Sequence, residues 1–163
     1  MALMPTARKV LHEPNPTLRK ISKSVEVKKI KTKDMATLLA DMVETMKKEN
    51  GVGVAAPQIG INERIFIAQT NDGPKAFINP EIVERSFKVM DYEEGCLSVP
   101  GVKTKRKWGK TKRFRSVTVK ALDENGEEFQ MKGIGLLAVI FQHEIDHLDG
   151  ILFIDHATDL QEY

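Results

Sequence analysis

Two histidines and a glutamate stand at a spacing that suits metal chemistry. His143, Glu144 and His147 form an H-E-x-x-H run. Residues four apart in a helix lie on one face, one turn from each other, so both imidazoles can bind one ion. The glutamate next to the first histidine can then transfer protons at the open coordination position. The alternative is two solvated or hydrogen-bonded histidines on an amphipathic helix, and it ranks lower because a third ligand can be found elsewhere.

A catalytic site of this kind usually has three protein ligands and one water. Zincin proteases place the third ligand after the helix, where the candidates are Asp149, Asp155, His156 and Asp159. The longer H-E-x-x-H-x-x-G-x-x-H pattern is absent, because Phe153 occupies its last position. Upstream, Cys96 is the only cysteine and stands in E-G-C-L-S. A lone cysteine is usually a small buried hydrophobe, but a metal would keep its thiol ionised near neutral pH.

A third segment, G-V-G-V-A-A-P-Q at residues 51–58, has two glycines at alternate positions. Such glycines permit a ligand to approach the backbone closely, and Gln58 offers an amide donor. Taken alone, the segment could equally be an ordinary loop after a helix.

The elements that must position these residues are predicted from apolar spacing. A helix is predicted where Thr32 can cap the start and Asn50-Gly51 ends it, on a stripe of Met35, Leu38, Leu39, Met42, Val43 and Met46. Strands are expected at 64–70, 76–82, 86–92 and 116–122, and a type I′ turn at Asn125-Gly126 leads into 127–132. Residues 133–148 are predicted to form the second helix. This order indicates an α+β fold.

Composition sets the broad class. The chain has 163 residues, 41% hydrophobic and 29% charged, with a net charge of +2, which is ordinary for one soluble globular domain over 1–163. No apolar run reaches the ~18–20 residues of a membrane span, and no signal-peptide core begins the chain. One cysteine cannot form an intrachain disulfide, so we expect a reducing compartment and a cytoplasmic location.

The three chemical segments together resemble the peptide deformylases. G-V-G-V-A-A-P-Q, E-G-C-L-S and Q-H-E-I-D-H-L correspond to that family's three motifs, in order and at familiar separations. The segments LHEPNPTLRKIS and LDGILFID also look like family sequence, so the resemblance covers roughly residues 11–155. It implies antiparallel β-sheets packed around a central metal-binding helix, with an N-terminal helix on the outside.

The resemblance also implies a chemistry. Cys96, His143 and His147 would bind one divalent metal ion, Fe²⁺ in the cell, with Zn²⁺, Ni²⁺ or Co²⁺ as possible substitutes. Glu144 would transfer protons while the formyl group is removed from the formyl-Met of a new polypeptide and released as formate. The Gln58 amide and the Leu97 backbone N–H would stabilise the oxyanion. The substrate peptide would pair as an added strand with the backbone at Val52 and Gly53.

An apolar wall is predicted beside the metal. Leu136, Val139 and Ile140 precede His143 by seven, four and three residues, so they share its helix face. The wall suits a methionine side chain, although core packing is the plainer alternative.

One further pairing is implied by the resemblance. Glu94 would pair with an arginine of the following strand, for which Arg113 is the best match and Arg106 and Arg115 are competitors.

A basic stretch follows the cysteine. Eight lysines and arginines fall within the 13 residues from Lys103 to Arg115, with no acid and with Trp108 and Phe114 between them. The stretch could contact ribosomal RNA, and the alternative is a solvated basic hairpin or loop.

Two other functions remain open from the sequence. A metalloprotease would use the same metal-activated water and glutamate. A binding module with a structural zinc would need a fourth protein ligand. His12 and His156 are the candidates for that ligand, although surface positions are the plainer interpretation of both.

Overall fold

The structure is a computed structural model that describes residues 4–103 and 105–163. The first three residues of the predicted domain, and Thr104 inside the basic stretch, lie outside the described residues. Within the described ranges the helices are α1 (Val27–Ile30), α2 (Lys33–Lys48) and α3 (Leu136–Leu148), with 3₁₀ turns at Pro16–Arg19, Ala56–Ile59 and Phe153–Asp155. The strands are β1 (Gly53–Ala55), β2 (Ile65–Thr70), β3 (Gly73–Arg85), β4 (Val89–Pro100), β5 (Arg106–Phe114), β6 (Ser116–Leu122), β7 (Glu128–Ile134) and β8 (Thr158–Glu162).

The strands form two antiparallel sheets. The larger has the order β1-β2-β3-β6-β7, and the smaller has the order β4-β5-β8. β1 is therefore an edge strand of one sheet and β4 an edge strand of the other. The predicted α+β class is confirmed, since α3 packs between strands of both sheets.

The five-stranded sheet is covered by a helix on each face. Ile65 and Ile67 of β2 pack in a cluster with the apolar stripe of α2, whereas Phe66 and Ala68 pack with α3. Successive strand side chains point to opposite faces, so the uninterrupted apolar run of β2 is explained by burial on both sides. On the α3 face, Phe66 stacks on Phe77 with ring centroids 4.6 Å apart.

The prediction for α2 is confirmed. Thr32 is its N-cap, and the Thr32 Oγ1 accepts a hydrogen bond of 3.2 Å from the Met35 backbone N–H. Lys47 and Lys48 occupy the last turn, where cations interact favourably with the helix dipole.

The prediction of a type I′ turn at Asn125-Gly126 is wrong. That turn needs positive φ at both Asn125 and Gly126, and only Gly126 has it, at +77°. The Asp123 carboxylate instead accepts the backbone N–H groups of Asn125 and Glu127, both at 2.9 Å. This local side-chain pairing selects a different turn, which nevertheless joins β6 to β7.

Two predicted boundaries are also corrected. Gly133 and Ile134 continue β7, and Gly135, with φ of +64°, begins the reversal into α3, so the helix starts at Leu136. Residues 86–88 connect β3 to β4, which lie in different sheets, and β4 continues through Cys96 to Pro100. Most of the basic stretch forms β5, which pairs with β4 as a hairpin, one of the two alternatives given by the sequence, and pairs on its other side with β8.

None of the helices in the described ranges is long and apolar enough to cross a membrane.

Candidate metal centre

Helix α3 brings the two histidines together as their spacing predicts. The His143 and His147 rings lie with centroids 4.9 Å apart and planes inclined by 74°. His147 is buried and His143 nearly so, because α3 is covered by the larger sheet on one side and by β5 on the other.

Cys96 completes a three-residue cluster. Its Sγ lies 3.3 Å from His147 Nε2, and the ligating atoms of Cys96, His143 and His147 all lie within 4.8 Å of one another. Sulfur and nitrogen ligands at ~2.3 and ~2.0 Å from a tetrahedral metal stand ~3.5 Å apart. The observed spacing therefore fits a shared metal ion. The four downstream candidates are not part of this cluster. Asp149 pairs with Arg64, Asp155 with Arg19 and Asp159 with Lys110, and His156 Nε2 lies 3.7 Å from Asp146 Oδ2.

The orientation of His143 is fixed by Glu94. The Glu94 Oε1 lies 2.8 Å from His143 Nδ1, so Nδ1–H donates to the carboxylate and Nε2 is left for the cluster. Burial lowers the pKa of His143, but contacts with Cys96 and Glu94 outweigh burial and hold that pKa well above its usual value. A proton at His143 thus competes with a metal ion for the site.

His147 has the opposite protonation. Burial, followed by the charge of His143, lowers its pKa well below the usual value, so the ring is neutral, as a metal ligand must be. Its Nδ1 is buried and has no hydrogen-bond partner among the described residues.

A buried network holds Glu94. Arg113 donates from Nε to Oε2 at 2.7 Å and from Nη2 to Oε1 at 3.0 Å, and Thr111 Oγ1 also donates to Oε2. Burial raises the pKa of Glu94, but the hydrogen bonds from His143 and Arg113 prevail and hold it well below its usual range. Arg113 also bonds Asp146 at 2.7 Å, a link from β5 to α3 that the sequence analysis missed although Asp146 lies inside the histidine motif.

Glu144 lies beside the cluster in a different environment. Its side chain is buried, and Oε2 has no hydrogen-bond partner among the described residues. Burial is the main reason that the pKa of Glu144 rises to about 7. An unpaired carboxyl with a pKa near neutrality can both accept and donate a proton at working pH.

Gly53 is the reason that Glu144 fits. A Cβ at Gly53 would stand 2.5 Å from the Glu144 Oε1. The sequence indicated a close approach of a ligand to this backbone, and the structure shows that the catalytic-motif glutamate itself makes such an approach.

Gln58 is held by both of its amide atoms. Its Oε1 accepts the Ala55 N–H at 2.9 Å, and its Nε2 donates to Ser98 Oγ at 3.1 Å and faces Cys96 Sγ at 3.6 Å. The extended N-terminal segment ties the same elements together, because the Leu11 N–H donates to the Gln58 carbonyl and the Glu13 N–H to the Ser98 carbonyl.

A cleft of about 490 Å³ opens onto the cluster. Every residue predicted to bind substrate lines it: Val52, Gly53, Leu136, Val139 and Ile140, and Leu97 does so too. Val139 and Ile140 are buried, whereas Leu136 is 63% exposed at the mouth. His12 and Trp108 also line the cleft, and no periodic signal in the sequence marked either one.

Comparisons with known proteins agree with this geometry. A family model described as polypeptide deformylase matches residues 7–163. The chain is 51% identical over 138 residues to a peptide deformylase of Acetivibrio thermocellus, covering 85% of this chain and 76% of that one. It is 46% identical over 152 residues to a peptide deformylase of Carboxydothermus hydrogenoformans, covering 93% and 94%.

Solved structures are similar across nearly the whole chain. An actinonin-bound class I type b peptide deformylase from Acinetobacter baumannii superposes with a TM-score of 0.86 at 36% identity, covering 94% of this chain and 99% of that one. A peptide deformylase from Thermotoga maritima gives 0.85 at 37% identity, covering 93% and 98%.

Proposed function

Because this chain belongs to the polypeptide deformylase family, we propose that Cys96, His143 and His147 hold one divalent metal ion at the base of the cleft. The protein is a metal-dependent hydrolase that removes the formyl group from the N-terminal formyl-Met of newly made polypeptides and releases formate. The single observation that supports the residue assignment is the convergence of three ligating atoms beside the buried carboxyl of Glu144.

The donor set suits such an ion. Two imidazoles and one thiolate are a compact ligand set that leaves a fourth position open. When bound, the ion would supply Lewis acidity, which lowers the pKa of a water and polarises the formyl carbonyl. We propose Fe²⁺ as the ion in the cell and Zn²⁺, Ni²⁺ or Co²⁺ as substitutes, because nitrogen and sulfur donors suit all four.

Glu144 is proposed as the proton carrier. Its unpaired Oε2 and its pKa of about 7 allow it to accept a proton from the attacking water. The same carboxyl then donates that proton to the departing amine nitrogen, so that the peptide leaves with a free N-terminus.

Gln58 and Leu97 are proposed to stabilise the oxyanion that forms on the formyl group. The Gln58 amide is held by Ala55 and Ser98, so its Nε2 is oriented before substrate arrives. A donor that is already oriented costs no reorganisation as charge develops, and removing one such donor typically slows an enzyme ~10²–10³-fold.

The cleft lies between two edge strands, β1 and β4. An extended peptide could therefore pair with the backbone at Val52 and Gly53, and it would have the second edge at Gly95 on its other side. The methionine side chain would pack on Val139 and Ile140, with Leu136 covering it from the mouth of the cleft.

The main alternative is a metalloprotease with the same motif. The upstream Cys96 and the Gln58 amide favour deformylation over proteolysis. The ligand cluster found within the described residues includes no fourth protein ligand that would favour a structural zinc. Incubation of the metal-loaded protein with formyl-Met peptides and with their unformylated counterparts tests this. Deformylation predicts equimolar formate and intact free-amine peptide from the first and no product from the second. Cleavage at an internal peptide bond of either peptide would contradict it.

Two coarser features complete the proposal. We propose that the chain acts as one catalytic domain and that it works in the cytoplasm, where formylated nascent chains are made.

The basic stretch from Lys103 to Arg115 is proposed as a weak ribosome contact. Lys110 and Lys112 lie near Asp159 and Asp91, at 3.6 and 2.8 Å, and Arg113 is buried, so the charge available to RNA is smaller than the sequence indicates. Co-sedimentation with ribosomes across a salt series tests the contact. Binding should weaken steeply with salt and should fall in Lys103→Ser/Lys105→Ser/Lys107→Ser, whereas equal binding by this variant and wild type would contradict the contact.

A further inference from the structure

Two cations of the basic stretch line the substrate cleft. Lys105 and Arg106, which we call the cationic lip, both line it, whereas Lys103 and Lys107 do not. Both lip side chains are exposed, and no carboxylate within residues 4–103 and 105–163 lies at ion-pair distance from either. Their charge is therefore available to whatever occupies the cleft.

The lip has a fixed position relative to the metal ligands. Arg106 is in register with Pro100, the Gly101 N–H donates to the Lys105 carbonyl at 3.0 Å, and Arg106 exchanges two backbone hydrogen bonds with Tyr163. Pro100 follows Cys96 by four residues along β4. A register shift sets Gly95 opposite Trp108 but Pro100 opposite Arg106, so this part of β4 advances by only two residues of β5, or ~7 Å. Two residues of an extended peptide span the same distance, and Lys105 stands one residue farther along. The lip therefore lies within reach of the third or fourth residue of a peptide whose formyl-Met lies at the metal.

The other charges at the cleft lie elsewhere on its rim. Glu94 is buried and bonded to Arg113, and Glu93 stands opposite Lys110 in the β4–β5 register. Glu49 enters the cleft from the end of α2, on the side of β1. Among the charged residues that line the cleft, Lys105 and Arg106 are therefore the two that lie next to Pro100 in the β4–β5 pairing.

We propose that Lys105 and Arg106 form a specificity element that favours formyl-Met peptides with an acidic side chain at the third or fourth residue over peptides with a basic one. The proposal rests on the deformylase function proposed above and adds a preference of the same site for peptide charge. Exposed ion pairs are weak, so two cations correspond to roughly a three- to ten-fold preference in kcat/KM. The preference should fade at high salt, because exposed charges are then screened.

The test is a set of formyl-Met peptides that differ only by Asp, Ser or Lys at the third or fourth residue, assayed at low and high salt. Wild type should prefer Asp over Lys at low salt and lose the preference at high salt. Lys105→Ser/Arg106→Ser should bring the Asp-to-Lys ratio of kcat/KM near one, and Lys105→Glu/Arg106→Glu should invert it. The matched control Lys103→Ser/Lys107→Ser removes the same charge from the same segment and should keep the wild-type ratio.

The outcomes separate two failures. If metal-loaded wild type turns over the Ser peptide but does not distinguish Asp from Lys, the cationic lip is overturned while the deformylase function stands. If the Asp-to-Lys ratio of kcat/KM falls as far in the control variant as in the Lys105→Ser/Arg106→Ser variant, the preference comes from net charge. The specificity role of the cationic lip is then also contradicted. If wild type does not turn over the Ser peptide at all, the proposed function itself fails.

Discussion

Glu94 and Glu144 are two buried carboxyl groups near His143 whose environments drive their pKa values in opposite directions. Hydrogen bonds from His143 and Arg113 keep Glu94 ionised, whereas Glu144 has an unpaired oxygen and a pKa of about 7. Pairs of groups with divergent pKa values commonly mark separate roles. Under the proposed function, Glu94 would orient the His143 ring and Glu144 would transfer the proton.

The role of Glu144 predicts a specific defect. Glu144→Gln should keep a full equivalent of metal, since the three ligands are untouched, and should lower kcat by ~10²–10⁴ because the general acid–base group is lost. Metal content and formate release should be measured on the same sample. Near-normal turnover with full metal would show that another group carries the proton.

Glu94 predicts a pH-dependent stability. Its folded pKa lies below the unfolded value of ~4.3, so its contribution is present above that value and is lost as pH falls toward the folded pKa. Removing one partner of a buried ion pair typically costs ~3–5 kcal/mol of unfolding free energy. Urea unfolding of the metal-free protein should therefore show Glu94→Gln less stable than wild type at pH 7, with a smaller difference at pH 3. A difference that does not change with pH would contradict the ionised pair.

At the scale of elements, the site depends on how closely β1 approaches α3. Gly53 leaves room for the Glu144 carboxyl, and the neighbouring Gly51 packs against the end of the Leu97 side chain, where a Cβ would stand 3.1 Å from Cδ1. A Cβ at Gly53 would crowd three atoms of the Glu144 side chain, whereas a Cβ at Gly51 would crowd only the terminal methyl group of the flexible Leu97 side chain.

Gly53→Ala should therefore impair turnover far more than Gly51→Ala. A methyl group at Gly53 would displace the Glu144 carboxyl, and a small misplacement of a catalytic group can cost ~10²-fold in rate. Both variants should be compared for kcat and for metal content, with Gly51→Ala as the matched control. Equal activities would mean that the carboxyl has room to move without consequence.

Sequence periodicity predicted some elements and could not predict others. Most buried positions of α2, β2 and β6 are apolar, with Asp41, Thr45 and Thr118 as exceptions, so these elements give a clear signal. β5 also alternates, but its buried positions are Gly109, Thr111 and Arg113, which are small, polar or charged. A strand that buries an ion pair gives no hydrophobic pattern, and β8 is exposed along its whole length.

More of the candidate site than of the fold could be predicted from the sequence, because Cys96, His143 and His147 belong to recognisable motifs. The metal cluster joins residues that the H-E-x-x-H and E-G-C-L-S runs had marked. The sequence pointed to His12 only as a possible zinc ligand and to Trp108 only as part of the basic stretch, and it gave Asp146 no role. Their positions at the site arise from packing between distant segments, which no local pattern encodes.

At the scale of the whole molecule, two sheets and one helix enclose the cleft. β1 and β4 present their edges to it, and α3 supplies both the histidines and the apolar wall. Under the proposed function, the metal ligands and the substrate pocket therefore share one helix.

The apolar wall on α3 predicts that the enzyme selects for methionine as the first residue of the substrate peptide. Burying most of a methionine is worth ~1.5–3 kcal/mol, so formyl-Met peptides should exceed formyl-Gly peptides by roughly one to two decades in kcat/KM. Ile140→Ala should narrow that ratio, because the residue is buried along the wall. If wild type gave equal kcat/KM values for the two peptides, the assignment of Leu136, Val139 and Ile140 to the methionine pocket would be contradicted.

The central claim is that one metal ion on Cys96, His143 and His147 makes this chain a deformylase, and anaerobic titration of the metal-free protein with Fe²⁺ or Co²⁺ tests it most directly. Formate release from a formyl-Met peptide should rise in proportion to added metal and reach its plateau at one equivalent. Cys96→Ser should bind the ion weakly and remain nearly inactive, because a serine hydroxyl is a poor and usually protonated ligand. Full activity without metal, or tight stoichiometric metal with full activity in Cys96→Ser, would contradict the claim.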